Sequence, residues 1–180
     1  ITHEALYLVE GPVNLVRLMA VPDMVDRPEL KFPPYTASTP TYLSNGRSVI
    51  QAAAKQDILL HHPYQSFEPI VQFIREAAHD PDVVAIKMTI YRTGSNSELV
   101  RELMAAALAG KQITVVVELM ARFDEANNAN WAQYLEDAGA HVVYGVYGYK
   151  VHAKMALVVR REQGNLKRYA HLGTGNYHQG

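Results

Sequence analysis

Tyr149-Lys150-Val151-His152-Ala153-Lys154-Met155-Ala156-Leu157-Val158-Val159 is the stretch whose reading decides the fold. It alternates in polarity and is rich in β-branched residues, so it predicts a strand. Successive side chains of a strand point to opposite faces. His152 and Lys154 are therefore expected side by side on one face, with Val151, Ala153, Met155 and Leu157 directed into a core. An imidazole beside an ammonium suits attack on a phosphoryl group: the ring nitrogen supplies the lone pair and Lys154 holds the anionic oxygens. A neighbouring cation in general disfavours imidazolium, which is the expectation for His152 from this pairing. For an isolated H-x-K the plainer reading is a strand-end histidine beside a solvated lysine.

Working outward toward the C-terminus, Gln163-Gly164-Asn165 predicts the turn of a hairpin whose second strand runs over Arg168-Tyr169-Ala170-His171-Leu172. Gly173-Thr174-Gly175-Asn176 follows, a tight turn whose exposed backbone N–H groups can cradle an oxyanion. Alone it is only a turn. Behind an H-x-K strand, Thr174 and Asn176 read as the second wall of a phosphate pocket.

On the other side, strands alternate with helices. Asp57–His61 reads as a buried strand, followed by a helix over Phe67–His79 with Ser66 as its N-cap and Pro69 in its first turn. Val83–Tyr91 is the next strand, continuous and apolar as central parallel strands are. Arg92 leaves it, and a helix over 98–109 ends at Gly110. Ile113–Leu119 is the third strand, with Arg122 just beyond it; Asn127-Asn128-Ala129-Asn130 leads into a helix through Trp131, Tyr134 and Leu135; Ala140–Tyr144 is the fourth strand. An arginine at the carboxyl end of a strand is well placed for phosphate, and two at neighbouring strand ends converge. The alternative is a surface arginine in a βα loop. His61 and His62 sit at another strand end, where adjacent histidines face opposite ways and do not chelate one metal without a bend; one capping a turn and one packing is the expectation.

The pattern βαβαβαβ plus hairpin predicts a mixed α/β fold: a largely parallel sheet flanked by helices, with right-handed crossovers and an antiparallel terminal hairpin. Ahead of it, residues 5–9 suggest a short strand and 13–21 a helix opened by Pro12, with no room for a core of their own. Pro22 to Pro40 holds five prolines and little periodicity. The expected division is 1–34, the tail of a preceding domain and a linker, and 35–180, the catalytic α/β domain. An ending on a candidate active-site loop suggests truncation.

Nearly half of the 180 residues are hydrophobic and 19% are charged, a soluble globular balance. The net charge of −1 gives no global case for nucleic acid or an anionic membrane, so anion binding must be local. Cysteine is absent, which excludes disulfides, thiolate catalysis and Cys-ligated metals. There is no signal-peptide pattern and no apolar run near ~18 residues. Nor is there a G-x-x-x-x-G-K-[ST] loop or a protein-kinase signature set, so side chains must handle phosphate.

The H-x-K strand with its glycine turn resembles a half-site of the phospholipase D superfamily. Ile86–Thr93, Val117–Glu125, Lys150–Lys154, Gly173–Tyr177 and His61–Phe67 together resemble polyphosphate kinases of the first type, in that family's order. The resemblance implies a phospholipase D-like half-unit and an ATP:polyphosphate phosphotransferase. The His matching His152 would take the terminal phosphate of ATP and pass it reversibly to polyphosphate. It associates Arg92 and Arg122 with a Mg²⁺-phosphate site; a guanidinium has no lone pair for a metal, so both are expected to bind phosphate oxygens. Further implications are ATP/ADP and polyphosphate as partners, no nucleic acid, self-association of the complete protein, and a cytoplasmic location with peripheral attachment at the inner membrane as its variant. Two departures stand out. Val159 occupies the position where the phospholipase pattern carries an acid, which disfavours a phosphodiesterase, and only one half-site is present, so residues 1–180 alone are expected to be inactive. The competing readings are a phospholipase D-like phosphodiesterase or nuclease using the same His152, and a non-catalytic polyanion-binding module with His152 structural.

Overall fold

Val83–Ile90 is an apolar run interrupted only by Lys87 and Thr89, and it forms β1, the central strand. In the computed structural model, residues 2–11, 13–44, 46–92, 97–118 and 125–177 are described. The chain divides into two compact units, Ile1–Thr36 and Ala37–Gly180. In the first, 3₁₀ turns at His3–Ala5, Leu15–Ala20 and Pro28–Leu30 accompany one helical turn, α1 (Val21–Met24). Every described residue of residues 2–36 is exposed, and the strand expected over 5–9 is absent there.

In the second unit, α2 (Val49–Ala53) is capped by the Ser48 hydroxyl, which accepts from the Gln51 N–H. α3 (Glu68–His79) precedes β1, α4 (Glu98–Leu108) follows it, and β2 (Gln112–Val117), α5 (Glu125–Asp137) and β3 (His141–Tyr144) complete the βαβαβ run. β4 (Lys154–Glu162) and β5 (Asn165–Gly173) form the hairpin, whose turn places Gln163 and Gly164 at positive φ. The sheet order is β3-β2-β1-β4-β5; β1, β2 and β3 are parallel, whereas β4 runs antiparallel to both β1 and β5. The expected mixed α/β sheet with a terminal hairpin is therefore present.

Asp57–His61 is not a strand, and Leu59 is 86% exposed. β1 has β2 and β4 as its neighbours, and this stretch joins no strand of the sheet. This stretch leads instead to an isolated bridge between Ser38 and Gln65. The Asn127–Asn130 run, expected to precede a helix, lies inside α5. Asn128 is buried there and its amide serves the strands rather than the helix start.

The face of β4 is also the reverse of the expected one. Register pairs Ile86 with Val158 and Met88 with Ala156, so Ala156 and Val158 enter the core, while Met155 and Leu157 turn to the other face beside Lys87. Both parities of this strand are apolar, so alternation does not choose between them; pairing with β1 does. The core lies between that face, with Ile86, Ile90, Val115 and Val117, and the helices, which contribute Val71, Ile74, Leu103 and Leu135. Arg160 clamps β4 to the turn before β1 through Asp80 (2.8 Å) and Asp82 (3.2 Å).

Ile86 is fully buried, so Ile86→Ala is expected to lower unfolding free energy by about 2–5 kcal/mol. Met155→Ala, on the outward face, is expected to cost less than about 1 kcal/mol. Urea unfolding of the two variants checks this; equal costs would overturn the assignment of faces.

Candidate active site

His152 does not lie on a strand. The β4 ladder begins at Lys154, and residues 150–153 precede it without ladder pairing. Thr89, at the penultimate position of β1, explains the delay. Its hydroxyl donates to the Ala153 carbonyl (2.7 Å) and accepts from the Met155 N–H (3.1 Å), taking bonds that a backbone partner would otherwise make. His152 is consequently exposed, whereas Lys154 is 4% exposed.

Tyr91 is the centre of the arrangement. It directly follows β1 and is 9% exposed. The His152 ring meets it edge to face, with centroids 4.9 Å apart and planes at 81°. Lys154 Nζ lies 4.6 Å from the same centroid, Arg92 Cζ 5.4 Å and Lys150 Nζ 5.7 Å. Three cations over one ring gain from its negative face. Burial pulls the Lys154 ammonium below its ordinary value; Tyr91 opposes that shift and the Arg92 charge adds to it.

A second set of bonds moors the strand ends. The Asn128 amide, fully buried on α5, donates to the carbonyls of Tyr91 (2.7 Å) and Glu118 (2.9 Å). The Glu118 carboxylate, also buried, accepts from the Val151 N–H at 2.9 Å. The ends of β1 and β2 and the approach to β4 are thus tied together by side chains.

Of the residues singled out in the sequence, His152, Lys154 and Arg92 converge on Tyr91. Gly173 pairs with Lys154 across the hairpin, so the Thr174–Asn176 turn leaves the sheet at the edge where His152 enters. Among the described residues, no hydrogen bond joins Thr174 or Asn176 to His152. Arg122 lies outside the described residues. Tyr91, Thr89, Glu118 and Asn128 have no role assigned from the sequence; Thr89 and Glu118 stand out as polar residues of apolar strands without that pointing to a role, and Tyr91 and Asn128 give no local signal.

His171 and Tyr177 form a separate cluster. His171 Nδ1 and the Tyr177 hydroxyl are 2.9 Å apart, and Tyr177 is buried against Phe67, which neighbours His62. Burial first, and then the nearby His62, lower His171 from 6.5 to about 4; burial raises the Tyr177 phenol. His62 Nδ1 meets the Gln65 carbonyl (2.9 Å) and the His61 ring packs on Tyr64, the turn-and-packing arrangement expected of that pair. A groove of about 580 Å³, lined by Ala78, His79, Val83 and Lys111, lies at the opposite end of β1, away from these histidines.

Fold and site together define an α/β domain with a cationic histidine centre at its strand ends. Residues 48–180 match the family model described as polyphosphate kinase C-terminal domain 1, and the chain belongs to that family. It is 72% identical over 180 residues to the polyphosphate kinase of Neisseria meningitidis serogroup C, covering all of this chain and 26% of that protein. To the polyphosphate kinase of Burkholderia lata it is 61% identical over 176 residues, 96% of this chain and 26% of that protein. The chain thus spans about a quarter of the length of these curated relatives. The crystal structure of polyphosphate kinase from Porphyromonas gingivalis superposes with a TM-score of 0.70 at 37% identity, covering 83% of this chain and 25% of that one.

His171 yields a pH prediction. Between about pH 6.5 and 4 the unfolded chain carries a proton on His171 that the folded chain does not. Its contribution is therefore complete above about 6.5 and is lost as pH falls toward 4, by roughly 3 kcal/mol at most. Urea unfolding across that range should show a shallower slope in His171→Asn; an unchanged slope would contradict the half-buried neutral imidazole.

Proposed function

We propose that this chain forms part of an ATP:polyphosphate phosphotransferase in which His152 carries the phosphoryl group. The observation that supports it most is the exposed imidazole of His152 set among Lys154, Arg92 and Lys150 on the Tyr91 ring. A ring nitrogen of His152 attacks the terminal phosphorus of ATP, forming a P–N bond as the bridging P–O bond breaks and ADP departs. The terminal oxygen of a polyphosphate chain then attacks the same phosphorus, and the P–N pair returns to the imidazole. Charge builds on the oxygens of the transferred group, where Lys154 and Arg92 stabilise it. The reverse sequence makes ATP.

Arg122, Thr174 and Asn176 belong to this reading as further phosphate contacts. Among the described residues no cluster of three His, Asp or Glu side chains suits a metal, and the site is cationic. Mg²⁺ does not fit as an ion ligated by these residues; it belongs to the proposal as the partner of the nucleotide phosphates. Self-association of the complete protein and a cytoplasmic or inner-membrane-peripheral location rest on the family alone. No helix among the described residues is long and apolar enough to cross a membrane.

Steady-state synthesis of polyphosphate from ATP by the complete protein tests the reading. His152→Ala is expected to lower kcat roughly 10³-fold or more. Arg92→Lys should raise KM for ATP, because a point charge does not replace a planar fork. Full synthesis by His152→Ala, or diester hydrolysis without nucleotide, would overturn it in favour of a binding module or a phosphodiesterase.

A further inference from the structure

His152 stands outside the sheet, so no ladder hydrogen bond sets the direction of its ring. What meets the ring is Tyr91, at 4.9 Å and nearly perpendicular. Perpendicular aromatic pairs are held by the attraction of a ring edge for a ring face, which favours this orientation over a flat stack. Tyr91 is itself fixed from two directions. Its position at the end of β1 follows from strand pairing on both sides, and its carbonyl is held by the buried Asn128 amide.

The same residue gathers the cations. Lys150 lies in the segment that leads into β4, Lys154 is the first residue of that strand, and Arg92 directly follows Tyr91; all three have their charge within 5.7 Å of its centroid. One aromatic ring therefore relates the nucleophile and the phosphate-binding charges geometrically. We propose that Tyr91 is the positioning residue of this site: its ring sets the attack direction of His152 and the spacing of Lys154 and Arg92 around it. Asn128 and Glu118 act behind it, the first by holding the Tyr91 carbonyl and the second by holding the Val151 N–H one residue before His152. Tyr91 gives no group to the reaction. It acts through the ring alone, and a ring without the hydroxyl serves equally.

The inference rests on the phosphotransfer reading for its kinetic consequence but not for its geometry, and the two are tested separately. In the complete protein, NMR should show a cross-relaxation signal between the ring protons of Tyr91 and His152, kept in Tyr91→Phe. Its absence would overturn the proposal whatever the enzyme does, and this measurement does not require that a severe variant fold. Kinetically, Tyr91→Leu is expected to lose roughly 10²-fold in kcat, the scale of an ångström-sized misplacement. Tyr91→Phe should recover most of that loss, with thermal unfolding confirming that the Leu variant is folded. If Tyr91→Leu keeps its kcat, or Tyr91→Phe is as impaired as Tyr91→Leu, Tyr91 does not position His152 through its ring. If the ring signal is present but His152→Ala still makes polyphosphate, the geometry stands and the assignment of the nucleophile falls.

Discussion

The antiparallel docking of β4 on β1 is the constraint on which the site depends. Parallel strands would put the start of β4 at the start of β1, far from Arg92. Because β4 runs the other way, its first residue, Lys154, arrives at the end of β1, next to Tyr91. The five-strand order then leaves β4 between β1 and β5, so the glycine turn after β5 emerges at the same edge. Ligands of open α/β sheets generally sit beyond the carboxyl ends of parallel strands, and here the antiparallel strand delivers its N-terminal end to that region.

Polar groups inside the framework convert this topology into a defined site. Thr89 replaces one step of the ladder with side-chain bonds and so releases His152 from the sheet. Asn128 and Glu118 close a bonded path from β1 through β2 to the approach of β4. Each is buried, and a buried polar group costs stability unless its bonds are made. Their presence in an otherwise apolar core is explained by the strand ends they hold.

Much of the fold was legible in the sequence because strands and helices alternate with clear punctuation. Gly110 and the Gln163-Gly164 turn sit where their chemistry predicts, whereas Ser66, expected as the N-cap of α3, lies one residue ahead of the actual N-cap, Phe67. The phase of β4 was not legible, since Ala156 and Val158 are as apolar as Met155 and Leu157 and only register with β1 separates them. Asp57–His61 reads as a strand locally, but a short apolar run does not say whether a sheet partner exists, and here β1 is paired with β2 and β4 instead. At the site, H-x-K and the strand-end Arg92 could be picked out by type and place. Tyr91, Glu118 and Asn128 could not, because their importance lies in what they touch across 10 to 61 residues of chain rather than in any local pattern.

The most direct test of the central claim is to trap the phosphoryl group on the chain. The complete protein would be incubated with γ-labelled ATP and Mg²⁺, digested, and the label mapped to a peptide. The account predicts an acid-labile, base-stable label on the peptide containing His152, absent from His152→Ala. A label on another residue, or one that persists in the His152 variant, would contradict it.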